Sequence, residues 1–266
     1  MKKNFFKFIA KLNFLRLILI PILKKFNFEF KWKHDVTKRP FYLMSFYHKG
    51  YWYYGREREK KELDLIKKLI SEGDFILEVG AHIGYLTQYF EYLVGHTGSV
   101  IAVEPTPYSL YFLKKNILPN TIVVEKAASN IIGEVDFFTE NFGGFTNSLE
   151  ENFTISQNKK NKKFNYVDSV LTSIKCKVDT LDNICRLNNF VPNFIKIDVE
   201  GSEYKVLLGA KKILAKANAL MVEVSNNENE VFDLLSNFGF KRINISKNSK
   251  NFFFVRMSNF KESILL

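Results

Sequence analysis

From Phe75 onward the chain alternates short apolar runs with longer stretches in which apolar residues recur every three or four positions. Short aliphatic runs suit strands buried on both faces, and the longer amphipathic stretches suit crossover helices. The runs predict strands near 75–79, 99–103, 121–125, 194–198 and 219–224, and helices near 84–94, 108–117, 203–215 and 228–237. Gly95 and Gly239 stand where two of those helices should stop. The end of the chain, Gly239 to Ile245 and then Phe252-Phe253-Phe254-Val255, reads as two strands joined by a polar turn. This is an α/β pattern: a doubly wound, mostly parallel sheet finished by an antiparallel hairpin.

Before Phe75 the pattern changes. Residues 40–54 are dense in aromatics, and Leu63, Ile66, Leu69 and Ile70 follow at helical spacing. Residues 1–70 therefore read as a basic, aromatic-rich helical extension, and 71–266 as the catalytic domain. Residues 140–173 are polar, with Gly143-Gly144 and Lys159-Lys160-Asn161-Lys162-Lys163, and read as a mobile loop insertion.

Composition sharpens this picture in two ways. A chain of 266 residues, 46% hydrophobic, can bury one sizeable core, and its two cysteines, Cys176 and Cys185, supply neither a disulfide framework nor a zinc site. A reduced, cytoplasmic protein is expected. The formal charge of +11 is concentrated at one end: residues 1–70 hold 18 Lys and Arg against 6 Asp and Glu, and the rest 21 against 22. A basic leader on a neutral body points to an anionic surface, whereas a nucleic-acid enzyme would carry charge around its cleft. The apolar run Leu17–Leu23 is too short to span a bilayer, and no small-residue cleavage site follows it. Residues 1–30 therefore read either as an interfacial segment on an anionic membrane or, with equal weight, as a helix packed on the domain.

The chemistry gathers at predicted strand ends. Glu78-Val79-Gly80-Ala81-His82-Ile83-Gly84 leads from the first strand into a helix, where free backbone N–H groups meet a ligand. Gly80 and Gly84 remove side chains at the closest approach, but His82 replaces the second glycine of a dinucleotide fingerprint. S-adenosylmethionine has no pyrophosphate to press against that loop, so it fits better than NAD. Glu104, at the tip of the second strand, can accept hydrogen bonds from both ribose hydroxyls. Ala127, after the third strand, leaves room for an adenine edge. The fourth strand ends in Asp198-Val199-Glu200-Gly201-Ser202-Glu203. Asp198 should stand beside the switch point, facing the positive charge of the donor, and Glu203 reads equally as a helix cap.

These segments resemble the FkbM family of S-adenosylmethionine-dependent methyltransferases between about Gly73 and Gly239. The carriers are Glu78 to Thr87, Val103-Glu104-Pro105-Thr106-Pro107, Val178-Asp179-Thr180-Leu181-Asp182 and, most specifically, Lys196-Ile197-Asp198-Val199-Glu200-Gly201-Ser202-Glu203. The resemblance implies a seven-stranded class I methyltransferase (Rossmann-like) fold, S-adenosyl-L-methionine as cofactor, the Gly80–Gly84 loop and Glu104 on that cofactor, and O-methylation. Family members act on sugars and natural-product hydroxyls, so a glycan or small-molecule acceptor is expected. The sequence departs from the family pattern at His82, where Asn is common, and at Glu78, where Asp is common.

The expected cofactor contacts are Glu78, Gly80, Ala81, His82, Gly84, Glu104, Ala127 and Asp198. Asp198 and Glu200 are the leading candidates for the acceptor's base, with His82 and Glu223 also in reach. No metal ligand set is assigned, because acids spread along a strand and a cap need not converge. A nucleic-acid acceptor is disfavoured: amino-group enzymes carry an (Asp/Asn)-Pro-Pro-aromatic turn where this chain has Asp198-Val199-Glu200-Gly201, and Cys185 precedes the strand rather than following it. The competing reading is a catalytically silent, membrane-associated binding module of the same fold.

Overall fold

The computed structural model describes residues 22–54, 59–140, 147–150, 152–156, 171–243 and 249–259. Its N-terminal part corrects the expectation of a helical extension: β1 (Glu29–Lys33) and β2 (Pro40–Met44) pair antiparallel, Glu29 opposite Met44. Phe28, Phe30 and Trp32 alternate with Glu29, Lys31 and Lys33, which is the period of a strand. A π-helical turn at Gly50–Tyr54 follows, then α1 (Lys60–Leu69).

The remaining elements keep the predicted alternation, with three strands and a helix between residues 127 and 187 that were not predicted. They run β3 (Phe75–Val79), α2 (Tyr85–Val94), β4 (Ser99–Val103), α3 (Pro107–Asn116), β5 (Ile122–Val124) and β6 (Ala127–Ala128), then the pair β7 (Gly133–Glu140) and β8 (Leu171–Asp179). After these come α4 (Leu181–Leu187), β9 (Phe194–Ile197), α5 (Glu203–Leu208), α6 (Lys211–Leu214), β10 (Ala219–Glu223), α7 (Glu228–Asn237), β11 (Phe240–Ile243) and β12 (Asn251–Arg256).

Seven strands form one sheet in the order β11-β12-β10-β9-β3-β4-β5. The five from β10 to β5 are parallel, and β12 runs antiparallel to both β10 and β11. Alternation along each strand divides the core. Leu77, Val79, Ile101 and Val103 pack against α4 to α7, while Ile76, Val100 and Phe194 pack against α1 and α2. The chain leaves β3 toward β4 on one side and later returns to β9 on the other, so the carboxyl ends of β3 and β9 flank the switch point.

Two differences from the predicted elements have local causes. The helix expected over 203–215 is broken into α5 and α6 at Gly209, where a Cβ would lie 2.2 Å from the carbonyl oxygen of Ser129. The polar insertion is flanked by the long hairpin β7–β8, in register from Gly133 opposite Val178 to Glu140 opposite Leu171. Within it, residues 152–156 are helical, while Gly143-Gly144 and the lysine run lie outside the described residues.

Polar side chains dock the N-terminal hairpin on the domain. Asn116, buried at the end of α3, accepts from Tyr42 N at 2.6 Å and donates to the carbonyls of Tyr42 at 2.9 Å and Ile83 at 2.7 Å. Gln88 donates to the carbonyls of Pro40 and Asn116, and Arg39 pairs with buried Glu91 at 2.6 Å. His34 Nε2 donates to the Tyr85 carbonyl at 3.0 Å, and its Nδ1 accepts from Val36 N and Thr37 N, both at 3.2 Å. Burial pulls the His34 pKa down to about 4, so the ring is neutral at physiological pH.

Candidate active site

The loop after β3 is bound to its neighbours on both sides. Gly80 N and Ala81 N donate to the Val103 carbonyl at 2.9 and 3.1 Å, and Asp198 N donates to the Val79 carbonyl at 3.1 Å. Gly80 has φ of 77°, and a Cβ there would stand 1.9 Å from the Asp198 carbonyl oxygen. Gly84 opens α2 with φ of 87°, and its Cβ would meet Leu113 at 2.9 Å. His82 between them also has a left-handed backbone, φ 50°. Asn and His are among the side chains that tolerate that region best, which accounts for His standing where Asn is common.

Glu104 faces this loop from the end of β4. Its Oε2 accepts from His82 N at 2.9 Å, and its Oε1 accepts from Thr106 N at 3.0 Å and from the Thr106 hydroxyl. The carboxylate is only 6% exposed, and burial raises its pKa. A carboxylate offers about four acceptor directions. Three are used, so one remains at Oε2, and rotation of the Thr106 hydroxyl releases another at Oε1. Two free directions are what a ribose diol requires. Ala127, buried in β6, borders the same cavity.

Beneath the loop lies a buried charge set that includes a residue the sequence reading passed over. Lys196, 3% exposed in the middle of β9, donates from Nζ to the Gly80 carbonyl at 2.6 Å. It stands 3.3 Å from Asp198 Oδ2 and 4.0 Å from Glu78 Oε1. Burial pulls the ammonium pKa down, and Asp198 and Glu78 outweigh that to leave it raised. The signal was available in Phe194-Ile195-Lys196-Ile197, because a lysine inside an apolar strand needs an anionic partner. Glu78 also accepts from the Thr87 hydroxyl at 2.6 Å, and burial lifts its pKa to about 7. Glu78 therefore ties β3 to α2 beneath the loop, and also borders the cavity.

Asp198, Glu200 and Glu223 do converge: one carboxylate oxygen from each lies within 4.8 Å of the others. β9 and β10 are adjacent and parallel, so their carboxyl ends project side by side. Glu200 turns back through a left-handed backbone, φ 53°, held by Ser148 donating to its carbonyl at 2.6 Å. Burial, then Asp198, Glu223 and Glu203, push the Glu200 pKa up to about 9. Burial and Asp198 push Glu223 up to about 7. Protons relieve the repulsion within this cluster at neutral pH, although its spacing is also compatible with a divalent cation. Glu203 turns inward, accepting from Gly201 N at 2.7 Å, in the turn before the helix that it begins.

These groups border one cavity of about 590 Å³, a size suited to a nucleoside-sized ligand and part of an acceptor. Gly80, Ala81, His82, Glu104, Asp198 and Glu200 line it, whereas Gly84, also among the expected contacts, does not. The far wall comes from outside the sheet: Tyr47, Lys49 and Tyr51 from the turn after β2, and Asn147 from the insertion. The Tyr51 hydroxyl lies 3.2 Å from His82 Nδ1, joining that wall to the loop. Of the aromatic stretch before Gly55, Phe41 and Phe46 are core residues, whereas Tyr47 and Tyr51 reach the cavity.

A bend that excludes side chains, a buried carboxylate with hydrogen-bonding capacity for a diol, and anionic groups at a parallel-sheet switch point together define a class I S-adenosylmethionine-dependent methyltransferase. The family model described as the methyltransferase FkbM domain matches residues 78–244, and the chain belongs to that family. S-adenosyl-L-methionine is the cofactor of that family. Among solved structures, it is similar to an S-adenosylmethionine-dependent methyltransferase from Aquifex aeolicus, at 15% identity over 79% of this chain and 95% of that one, with a TM-score of 0.43. Fibrillarin from Aeropyrum pernix with natively bound S-adenosyl-L-methionine is 13% identical over 86% and 81% of the two chains, TM-score 0.38. A TehB-like S-adenosylmethionine-dependent methyltransferase from Corynebacterium glutamicum is 12% identical over 74% and 87%, TM-score 0.39. Among curated proteins, none matches this chain.

Proposed function

We propose that the protein O-methylates a hydroxyl of a sugar, a glycan or a related small molecule. The observation that carries this reading is the convergence of Asp198, Glu200 and Glu223 at the switch point, in a cavity also lined by Tyr47 and Tyr51. S-adenosylmethionine supplies an electrophilic methyl group, and the chain's own residues must align the acceptor and take its proton. Alignment is a large part of the acceleration in such a displacement. A sugar hydroxyl has a high pKa and needs a base poised near the working pH.

The three acids divide that work. Glu200, with a pKa near 9, holds its proton at pH 7 and donates a hydrogen bond to an acceptor oxygen. Glu223, raised less than Glu200, receives the proton the acceptor loses, while Asp198, paired with Lys196, positions the group between donor and acceptor. The loop Gly80–Gly84 and Glu104 hold the donor, and Ala127 borders its adenine. A small-molecule or glycan acceptor, not a nucleic acid, agrees with the Asp198-Val199-Glu200-Gly201 turn.

A cytoplasmic enzyme in peripheral contact with an anionic membrane through residues 1–30 completes the reading. It is supported by the basic leader, and no helix among the described residues is long and apolar enough to cross a membrane. Purified protein incubated with radiolabelled donor and a panel of glycans tests the chemistry. Label in a base-stable ether on carbon-bound oxygen is expected; label in a base-labile ester or on nitrogen would overturn it. Complete absence of label with a bound donor would favour the silent binding module.

A further inference from the structure

Five of the exposed large apolar side chains fall within eleven residues: Ile22, Leu23, Phe26, Phe28 and Trp32, the phenylalanines being 65% and 59% exposed. Phe28, Phe30 and Trp32 share one face of β1 and its approach, with successive ring centroids 6.0 and 6.2 Å apart. Trp52 joins them, 6.1 Å from Phe30 and 6.5 Å from Trp32. Its indole N–H is satisfied by the Ser45 carbonyl at 2.9 Å, so the ring is fixed in place.

Charge surrounds this strip asymmetrically. The first 28 residues contain seven Lys or Arg and no acid, and Lys24 and Lys25 adjoin Phe26, whereas Lys31 and Lys33 project from the other face of β1. The single acid of that strand, Glu29, is engaged by Lys115 at 2.6 Å and Tyr111 at 2.8 Å. Rings flanked by cations fit two polyanions, a lipid surface and a single-stranded nucleic acid. Stacking of bases needs ring faces presented in a row. Here Phe30 meets Trp32 and Trp52 edge to face, at 70° and 81°, the other two pairs are tilted at 59° and 56°, and exposed aliphatic Ile22 and Leu23 precede them in the chain. Apolar edges among lysines are what a bilayer interface accepts, with rings among the acyl chains and ammonium groups at the phosphates.

We infer that the Phe26, Phe28 and Trp32 face docks on an anionic lipid bilayer. This deepens the membrane contact proposed above and rests on that reading, not on the chemistry of the cavity. It extends the contact from the basic leader, which already includes Phe26 and Phe28, onto a folded surface, and gives that surface a link to the site. The turn that carries Trp52 in the aromatic strip also carries Tyr47, Lys49 and Tyr51 in the cavity wall, so docking sets that wall beside the headgroups.

Flotation of the full chain with vesicles of phosphatidylcholine, with and without phosphatidylglycerol, tests this. The wild type is expected to float only with phosphatidylglycerol. The triple variant Phe26→Ala, Phe28→Ala, Trp32→Ala should partition more than about tenfold more weakly, with unchanged donor affinity and thermal midpoint. Should the triple variant misfold, Lys24→Glu with Lys25→Glu, beside Phe26, should remove the preference for phosphatidylglycerol. Equal flotation of these variants and wild type would overturn the assignment to this face while leaving contact through the leader standing; no flotation of the wild type would remove both. Tight binding of a single-stranded oligonucleotide, or a dimer that the triple substitution dissolves, in place of vesicle binding would also overturn it.

Discussion

Gly80 carries the tightest steric demand in the site, because a methyl group there would meet the Asp198 carbonyl at 1.9 Å. The clash involves backbone on both sides and the residue has positive φ, so neither partner can yield cheaply. Gly80→Ala is expected to cost about 3 kcal/mol in urea denaturation and to abolish donor binding; a variant of wild-type stability would show that the bend relaxes. Glu223 governs the pH dependence. With its pKa near 7 and a role as base, kcat/KM should rise with pH to a plateau above about 8, with Glu223→Gln removing the rise. A flat profile from pH 6 to 8.5 would remove Glu223 from the mechanism. Gly80, Glu104 and Asp198 were legible because a strand-end glycine or acid has few other reasons to be there. Lys196 was given no role although a lysine inside an apolar strand signals an anionic partner, and Tyr51 was read only as part of an aromatic stretch, because its contact with His82 spans 31 residues of sequence.

At the scale of elements, the parallel strands and their helices were readable because apolar runs of strand length cannot be solvated. β7, β8 and α4 escaped, since β7 and β8 carry many polar residues and flank a polar insertion, and α4 is only seven residues long. The hairpin β1–β2 escaped for another reason. Its anchors are polar side chains on α2 and α3, and a polar residue in a helix reads as solvated until its partner is known. Asn116 is the test of that account. Asn116→Ala leaves a Tyr42 N–H and the Tyr42 and Ile83 carbonyls without their partner, and should destabilise by about 2 to 4 kcal/mol, with loss of hydrogen-exchange protection in residues 40–44. A change below about 0.5 kcal/mol would mean that the hairpin is held by its apolar contacts alone.

Across the whole molecule, the buried acids tie stability to pH. Glu78, Glu200 and Glu223 have folded-state pKa values above their unfolded ones, so the folded chain binds more protons, and stability falls as pH rises through those values. His34 acts oppositely: its lowered pKa makes stability fall as pH drops from about 6.5 toward 4. Above pH 6.5 the acids lower stability as pH rises, and Cys185, whose thiol burial pushes up to about 12, acts in the same direction near pH 9, so the thermal midpoint should decline steadily to pH 9 and saturating donor should flatten that decline. A midpoint rising over this range would contradict the burial of the cluster.

Every role assigned to the cavity depends on its holding S-adenosylmethionine against Glu104. Isothermal titration of the donor into wild type and Glu104→Ala examines that directly. One equivalent should bind the wild type, and the variant, folded, should bind about ten- to a hundredfold more weakly through loss of charge-assisted hydrogen bonds. Equal affinity of the two proteins, or no heat from the folded wild type, would contradict the account.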